Sequence, residues 1–424
     1  MNAGTLEFDG IVYPDGRASD PIALGWMQGS PPPPDRRIRF RDDRYLAFPQ
    51  LRWSLSHLRE LLPTVAVWRG PAAAGDLGTS SSATGAAIDA LEFDDLHGRR
   101  RQWSQSLEDT YTDGILVLHR GIRVYERYFG ALVAHRPHAC FSITKSYAAT
   151  LAATLVHERV LQEERPVAHY LPEMAGTAYE DATLRQLLDM QVGVGFSEDY
   201  ADPEAPFWDY ARAGGFRARG AEHTGPDNFT DYLLTLRKAG EHGVEFEYKT
   251  VHTEVLCWIM ARVTGTPLAE LLSQRIWSRI GCEQDGYLAV DSVGTAMGGA
   301  GLNACLRDLA RFGELMRCEG SYGGRQVLPA AVIADVCRGA DPARFTPAGY
   351  SLLPGYSYRN MWWVSHNALG VFEARGIHGQ RLYIAPRADV VIARFCSHPV
   401  AASAANDPVT LPAFEALCRL LTAL

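Results

Sequence analysis

The chain has 424 residues, of which 47% are hydrophobic and 21% are charged, and its formal net charge is -8. This composition allows a large core, and the lack of a basic stripe argues against nucleic acid as a partner. No run of about 18 uncharged apolar residues occurs, and the first residues lack a basic segment followed by an apolar one, so we expect a cytoplasmic protein without a membrane span.

The eight cysteines are scattered through the sequence without a Cys-x-x-Cys pair. Most have apolar neighbours, which predicts reduced core thiols rather than a zinc site or a disulfide framework. The sequence also lacks a Gly-x4-Gly-Lys phosphate loop and a His-Glu-x-x-His zinc motif. We therefore expect no nucleotide, no metal and no cofactor.

The first part of the chain, residues 1–105, has no regular pattern. It contains a proline run at residues 31–34 and a Gly/Ala/Ser-rich loop at about residues 70–87. It also carries large apolar side chains that a free linker would not need, among them Trp26, Phe48, Trp53 and Trp68. We predict an arm that packs on the body of the protein, and no function follows for it from the sequence.

Regular elements begin with a β-hairpin predicted over residues 115–129, with its turn at Arg120-Gly121. An Ala- and Leu-rich segment without Gly or Pro then predicts a helix that starts at or just after Ser142 and ends near Val160. A second hairpin is predicted over residues 381–395 and a terminal helix over residues 411–424. The helices predicted between these are 184–190, 229–238, 252–264, 267–280, 305–318 and 329–337.

This order of elements predicts an α+β fold in which both ends of the chain build one antiparallel sheet flanked by helices. We assign residues 106–424 to this domain. Residues of about 106–160 and 300–424 form its α/β part, and about 161–300 form an inserted all-α lobe.

Lysine usage points to a reactive group. Only three lysines occur, at positions 145, 238 and 249, against 38 arginines. Arginine practically never loses its proton, whereas a desolvated lysine can be a neutral amine near pH 7. Lys145 follows Ser142 by three residues at a predicted helix start, so the two side chains lie about one turn apart. Such an amine can activate a serine, and the N–H of Ser142 at the helix start can stabilise an oxyanion.

A Ser-x-x-Lys motif that opens an Ala-rich helix after a hairpin resembles the penicillin-recognising serine hydrolases, that is, the β-lactamases and penicillin-binding proteins. Residues 246–250, Phe-Glu-Tyr-Lys-Thr, resemble the tyrosine motif of that family. The esterase and 6-aminohexanoate-dimer hydrolase branch is the most similar one, over about residues 105–397. The segments that carry this similarity are 111–114, 166–176, 198–203, 361–363 and 376–380.

The resemblance implies a β-lactamase/transpeptidase-like fold and a serine hydrolase that acts through an acyl-enzyme on small esters or amides. It implies that Ser142 is the nucleophile, Lys145 its base, and Tyr248 the phenol that passes the proton to the leaving group. The implied oxyanion hole consists of the backbone N–H groups of Ser142 and Ile377.

Three further residues are implied at the substrate. Tyr200 and Trp363 match residues that line the pocket in this branch, and His378, next to Ile377, is a further candidate for substrate binding. Each has a structural alternative, because aromatic residues often serve only packing and a histidine in a Gly-flanked turn is often structural. Likewise, Ser142 could be only an N-cap with a solvated Lys145, and Tyr248 a core aromatic.

The sequence departs from the family pattern at several positions. His378-Gly379-Gln380 stands where β-lactamases carry Lys-Thr-Gly, so we expect weak affinity for the carboxylate of a β-lactam. Ala211 and Gly299 replace polar residues that fit the nylon-dimer hydrolases to a linear amide. Lys249, which follows Tyr248, is expected to face solvent.

Two other classes of function stay open at this stage. The acyl-enzyme could pass its acyl group to an amine or alcohol, as an acyltransferase does, or the fold could serve as a non-catalytic binding module. A Ser-His-Asp site of the α/β-hydrolase type is disfavoured because no Gly-x-Ser-x-Gly occurs. The expected partner is a small ester or amide, and the oligomeric state stays open between monomer and homodimer.

Overall fold

A computed structural model describes residues 5–8 and 10–424 of the chain. Its α-helices are α1 Leu51–Ser54, α2 Ser82–Asp89, α3 Trp103–Asp109, α4 Ile143–His157, α5 Val167–Tyr170, α6 Leu184–Leu188, α7 Pro206–Ala213, α8 Phe229–Thr235, α9 Val251–Thr264, α10 Leu268–Arg275, α11 Leu306–Arg317, α12 Ala330–Arg338, α13 Pro342–Phe345 and α14 Asp407–Ala423. The predicted helices are confirmed, with ends that differ by a few residues.

The strands are mostly short. They are β1 Thr5–Phe8, β2 Ile11–Pro14, β3 Thr64–Val67, β4 Glu92–Asp94, β5 Arg100–Gln102, β6 Thr112–His119, β7 Ile122–Tyr128, β8 His138–Ala139, β9 Gly286–Ala289, β10 Leu302–Ala304, β11 Ser321–Tyr322, β12 Arg325–Gln326, β13 Ser357–Arg359, β14 Trp362–Val364, β15 Phe372–Gly376, β16 Gln380–Ala385 and β17 Val390–Cys396.

The main sheet has seven antiparallel strands in the order β13-β14-β15-β16-β17-β6-β7. The pairs β6–β7 and β16–β17 are the two predicted hairpins, and β17 pairs with β6. The sheet is therefore built from both halves of the chain, as predicted. A separate sheet of β3, β9, β10 and β8, which the sequence did not predict, lies beside the start of α4.

Both faces of the main sheet are covered by helices. Leu116 and Leu118 of β6 belong to one core cluster, which includes α4 and the helical lobe. Ile115 and Val117 belong to the cluster on the opposite face, with α3 and α14. Alternation of side chains along the strand produces this division. The result is a helix–sheet–helix sandwich with α4 on the side of the lobe.

Helix α4 is buried on all sides. Every residue from Ile143 to Leu155 is buried, as in a helix packed between layers rather than on a surface. The small side chains of this Ala-rich segment allow neighbouring elements to approach. Its hydroxyls have partners: Ser146 donates to the carbonyl oxygen of Met361 at 2.7 Å, and Thr150 accepts from the indole N–H of Trp362 at 3.1 Å.

The arm packs on the body near α4. Trp26 and Trp53 are buried in a third cluster that also contains Phe141, the residue before Ser142. Trp68 is instead 56% exposed, so its expected role as an apolar anchor is wrong. It follows Val67 of β3, which is fully buried, and alternation directs the next side chain outward. The boundary at residue 105 stays a prediction, and residues 1–4 and 9 lie outside the described part of the chain.

Among the described residues, no single helix has both the length and the apolar composition needed to cross a membrane. The consecutive helical segments 251–264 and 268–279 reach these limits only when they are taken together, and they are bent by 74° relative to each other.

A buried charge network fixes the C-terminal helix to the sheet. Arg381 on β16 contacts Glu373 on β15 at 2.9 Å and Asp407, the first residue of α14, at 2.5 Å. Arg375 contacts the other oxygen of each carboxylate. Burial acts to raise the pKa of Asp407, but the two guanidinium groups outweigh it and hold this pKa below its usual value. Asp407 is thus ionised and paired where α14 meets the sheet.

We expect Asp407→Ala to lower the free energy of unfolding by about 3–5 kcal/mol, because it leaves two buried guanidinium groups short of a counter-charge. Urea unfolding followed by circular dichroism measures this change. The control is Glu415→Ala on the same helix, whose exposed carboxylate lies 2.8 Å from Arg419 and whose loss costs about 1 kcal/mol or less. Equal losses for the two variants would contradict this account of α14.

Candidate active site

Ser142 and Lys145 are in direct contact. The Nζ atom of Lys145 lies 2.8 Å from Oγ of Ser142 and 2.7 Å from the carbonyl oxygen of Gly299. Lys145 is 1% exposed, so the alternative of a solvated lysine is wrong. Ser142 occupies the N-cap position of α4 but makes no side-chain capping bond. Its hydroxyl is therefore free to act with Lys145.

Burial changes the acidity of this lysine. Desolvation lowers the pKa of Lys145 from 10.5 to about 8, against the negative charges of Glu198 and Glu254, which act to raise it. At this pKa about one tenth of the amine is neutral at pH 7. A base is thus available at neutral pH, which an exposed lysine would not supply.

Tyr248 lies over the same pair. Its ring centre is 5.0 Å from Nζ of Lys145, and it stacks on Trp363 at 5.7 Å between ring centres. Burial and the charge of Glu198 raise the pKa of the Tyr248 phenol, while an interaction with the Ser142 hydroxyl acts to lower it. The phenol therefore keeps its proton at neutral pH, in the state that can donate to a leaving group.

The two predicted oxyanion donors, the N–H groups of Ser142 and Ile377, lie in two turns that are close to each other in space. Phe141 has a φ of 44°, a left-handed conformation that is strained for an aromatic residue, and it turns the chain into Ser142. Ile377 lies directly after β15 rather than within the strand. A Cβ atom on Gly376 would lie 2.7 Å from the carbonyl oxygen of Cys140, so glycine allows the strand end to approach the serine loop. Within the described residues, neither the Ser142 nor the Ile377 N–H has an acceptor.

The remaining predicted residues are placed differently. The Tyr200 hydroxyl donates to Glu198 at 2.9 Å. His378 has a φ of 61° and its Nδ1 donates to the carbonyl oxygen of His398 at 2.7 Å. Burial lowers the pKa of His378 to about 4, so this ring is neutral at pH 7. All three substrate candidates, including Trp363, line cavities next to Ser142, and their roles stay predictions.

A buried carboxylate supports the lysine. Glu254 of α9 accepts from the Gly298 N–H at 2.8 Å, the Gly299 N–H at 2.9 Å and the Tyr210 hydroxyl at 2.6 Å. Burial raises the pKa of Glu254, against these three donors and the charge of Lys145, which act to lower it. Because all three partners are donors, the ionised carboxylate can accept from each of them. A Cβ atom on Gly299 would lie 2.9 Å from this carboxylate. Glu254 thus holds the loop whose carbonyl oxygen accepts from Lys145.

Sequence reasoning missed both glutamates near Lys145. Glu254 is the only acidic residue between Thr250 and Ala261, and this isolated charge in an apolar helix was a usable signal. Glu198 accepts hydrogen bonds from the Tyr200 hydroxyl and from the backbone N–H of Thr250, 52 residues later in the chain. Such a partner cannot be identified from spacing.

The expectation that Lys249 faces solvent is wrong. This side chain is only 7% exposed, and its Nζ atom donates to the carbonyl oxygen of Val194 at 2.8 Å and to Glu247 at 2.7 Å. Because the alkyl chain is covered and the amine has two acceptors, Lys249 ties the Tyr248 segment to the helical lobe.

Two cavities meet at Ser142. The first, here called the arm cavity, has a volume of about 440 Å³ and lies between the arm and the helical lobe. The second, called the tyrosine cavity, has a volume of about 890 Å³ and contains Tyr248, Trp363 and Arg375 in its wall. Ser142 and Ile377 line both. A substrate carbonyl group at Ser142, where the two cavities meet, would direct one of its two substituents into each cavity.

Known proteins are similar to this chain in sequence and in fold. The β-lactamase family model matches residues 105–411. A 6-aminohexanoate-dimer hydrolase of Paenarthrobacter ureafaciens is 33% identical over 401 residues, which cover 94% of this chain and 94% of the relative.

Solved structures share the fold. One from Bacillus anthracis, provisionally described as a 6-aminohexanoate-dimer hydrolase, has a TM-score of 0.82 at 31% identity and covers 90% of this chain and 96% of its own. EstCE1, described as a hydrolase with promiscuous acyltransferase activity, has a TM-score of 0.58 at 16% identity and covers 74% of this chain and 96% of its own. At that identity EstCE1 is evidence for the fold alone.

We expect kcat/KM for an activated ester to rise with pH and to level off about one to two pH units above its midpoint, which lies near pH 8. Only the neutral amine of Lys145 can accept the serine proton, and its pKa of about 8 places the midpoint of the rise there. Stopped-flow rates between pH 6 and 10 measure the profile. Lys145→Arg keeps the charge but cannot lose it, so it should lose nearly all activity. A flat profile, or an active arginine variant, would contradict Lys145 as the base.

We expect Glu254→Gln to shift that midpoint to lower pH, because the negative charge of Glu254 acts to raise the pKa of Lys145. The same variant should lower the plateau rate by about tenfold or more, since the glutamine amide faces an N–H of the loop that positions Lys145. The control is Glu270→Gln on the surface of α10, which should leave both quantities unchanged. An unchanged midpoint in Glu254→Gln would mean that the carboxylate does not act on the lysine.

Proposed function

The chain belongs to the β-lactamase family, and we propose that it is a serine hydrolase that forms an acyl-enzyme at Ser142 on small esters or amides. The observation that carries this proposal is the 2.8 Å contact between Oγ of Ser142 and Nζ of a fully buried lysine. A desolvated amine in contact with a hydroxyl is the arrangement that turns a weak nucleophile into a reactive one.

In the first step, Oγ of Ser142 attacks the substrate carbonyl carbon and its proton passes to the neutral amine of Lys145. A C–O bond forms and the carbonyl oxygen becomes an oxyanion. The N–H groups of Ser142 and Ile377, which have no acceptor within the described residues, are the donors for this charge. Each such donor is worth about 3 kcal/mol of the barrier.

In the second step, the tetrahedral intermediate collapses and the bond to the leaving oxygen or nitrogen breaks. Tyr248 gives its phenolic proton to that atom and regains one from the Lys145 ammonium. The raised pKa of the Tyr248 phenol supports this role, because the group is protonated when the leaving atom needs a proton.

In the third step, water attacks the acyl-enzyme and the same groups carry its proton back to Oγ of Ser142. The products are a carboxylic acid and free enzyme. An amine or alcohol that replaces water at this step would make the protein an acyltransferase. Hydrolysis is our proposal because the full-length relative is a hydrolase.

Both the relative and the site bear on the substrate class. The relative is described as a 6-aminohexanoate-dimer hydrolase, and because two amino acids join through an amide, this supports small amides as well as esters here. Ala211 and Gly299, which replace polar residues of that branch, argue against the same dimer as the substrate. With His378 in place of a lysine, weak turnover of β-lactams stays a prediction, as does the cytoplasmic location.

A burst of p-nitrophenol from p-nitrophenyl acetate, with an acetyl adduct in the intact-protein mass, is expected for the wild type. Ser142→Ala should give neither and should lose at least about ten-thousand-fold in kcat/KM. Ser146→Ala, one turn along the same helix, is the matched control and should keep the adduct.

Product analysis with and without a small amine distinguishes hydrolysis from acyl transfer. Free acid as the main product in the presence of the amine supports a hydrolase, and a dominant amide product supports the acyltransferase. A wild-type protein without any adduct or turnover would contradict the proposal and favour a binding module.

A further inference from the structure

The arm cavity has two apolar walls. Residues from the arm form one wall and residues from the helical lobe form the other, and Ser142 lies between them. The side chains that the two walls contribute include Leu46, Leu58, Leu62, Phe207, Trp208 and Phe216. The volume of about 440 Å³ lies within the range of about 300–1,000 Å³ of small-molecule sites. A substrate bound at Ser142 therefore has an apolar space on this side.

The arm wall is fixed in place by contacts across the cavity. The Tyr45 hydroxyl donates to the carbonyl oxygen of Phe216, and the N–H of Ala218 donates to Asp43 at 2.8 Å. Tyr45 is only 2% exposed, and it belongs with Leu58 to the buried cluster that holds the arm on the body. The arm is thus a built part of the cavity rather than a segment lying loosely near it.

The charges of the arm cavity are paired. Asp43 and Arg217, the two charged side chains among its described lining residues, lie 3.7 Å apart. The guanidinium of Arg217 also lies over the ring of Trp208, at 4.2 Å from its centre. His378 is neutral at pH 7 because burial lowers its pKa to about 4. Among the described residues of this lining, none offers an unpaired charge to a charged substrate.

The position of the proton donor decides which part of the substrate enters this cavity. Tyr248 lines the tyrosine cavity and is absent from the lining of the arm cavity. The leaving atom must lie next to the phenol that protonates it. The leaving group therefore occupies the tyrosine cavity, and the acyl chain points to the opposite side of the carbonyl carbon.

We propose that the arm cavity is the acyl-chain subsite and that Leu46, Leu58 and Leu62 of the arm make it select an uncharged, apolar acyl chain. This proposal rests on the acyl-enzyme at Ser142 proposed above. It gives the arm a function, namely that it determines which acyl groups reach the serine.

The test compares p-nitrophenyl esters that share one leaving group and differ only in the acyl chain. From acetate to hexanoate, kcat/KM should rise by about fourfold for each methylene group that becomes buried. Heptanoate and 6-ammoniohexanoate esters form a matched pair, because a methyl group in one replaces an ammonium in the other. At pH 7 the ammonium ester should react at least about a hundredfold more slowly, since its charge would be buried without a partner.

Two alanine-to-tryptophan substitutions, one in each cavity, show which cavity binds the acyl chain. Ala47→Trp fills the arm cavity from an exposed position of the arm. It should abolish the increase of kcat/KM with the length of the acyl chain, while the acetate ester is still hydrolysed. Ala404→Trp places the same side chain in the tyrosine cavity, also from an exposed position. It should change the rates of all esters by a common factor and keep the rise.

A third variant tests the selection against charge. Leu62→Glu adds a carboxylate to the arm wall. It should lower the ratio of kcat/KM for the heptanoate ester to kcat/KM for the 6-ammoniohexanoate ester by about tenfold. Leu62 is half-buried, so the added carboxylate can remain partly hydrated and the fold should tolerate it.

The outcomes distinguish this proposal from the one it rests on. If all esters acylate Ser142 but kcat/KM is independent of chain length, or if Ala404→Trp and not Ala47→Trp removes the dependence, the acyl-chain subsite is refuted while the serine hydrolase stands. If the ammonium ester reacts as fast as heptanoate, selection for an uncharged chain is refuted. If no ester acylates Ser142, both proposals fall.

Discussion

The desolvation of one amine governs the architecture around Ser142. Lys145 can serve as a base at neutral pH only if water is excluded from its amine. The first turn of α4 must therefore be buried by neighbouring elements on every side. The Ala-rich sequence of α4 and its position between the sheet and the helical lobe supply that cover. A fully buried ammonium is costly unless it has hydrogen-bond partners, and the Gly299 carbonyl and the Ser142 hydroxyl are those partners.

Close approach of backbone segments is the second requirement of the site. The loop at Gly299 is hydrogen-bonded to Glu254 and lies next to Lys145. The end of β15 at Gly376 lies close to the loop before Ser142. In both places a side chain on the glycine would meet atoms at less than 3 Å. These glycines therefore contribute to the geometry around Ser142 and Lys145 although they carry no functional group. The carbonyl oxygen of Gly299 lies 2.7 Å from Nζ of Lys145, and Gly376 allows the end of β15 to lie close to Cys140.

Local pattern was enough to predict the helices, both hairpins and the contact between Ser142 and Lys145, because each depends on residues close in sequence. The sheet order followed from the position of the two hairpins at opposite ends of the domain. Tyr248 and Ile377 became candidates for the site only through family resemblance, since nothing in their spacing relates them to Ser142. Secondary-structure propensity gives no information about contacts between residues so far apart in sequence.

Three features could not be predicted for the same physical reason. Glu198 accepts from the backbone N–H of Thr250, and the arm wall faces lobe residues such as Phe207 that follow it by more than 140 positions. Lys249 is buried because its amine finds the carbonyl oxygen of Val194, whereas sequence alone favours solvent for a lysine beside a loop. In each instance the deciding partner is brought near by the tertiary fold.

The pairing of β17 with β6 has a consequence for the order of events during synthesis. β6 is made early, but its neighbour in the middle of the sheet comes from Val390–Cys396, near the C-terminal end. Until that segment leaves the ribosome, β6 has no partner on the side away from β7, and the turn that carries Ile377 has no completed sheet behind it. Pairings so distant in sequence form slowly and leave such edges open to other chains. The nascent protein therefore completes its main sheet only after translation has almost finished, and a chain that ends before Val390 leaves β6 open to pairing with another chain.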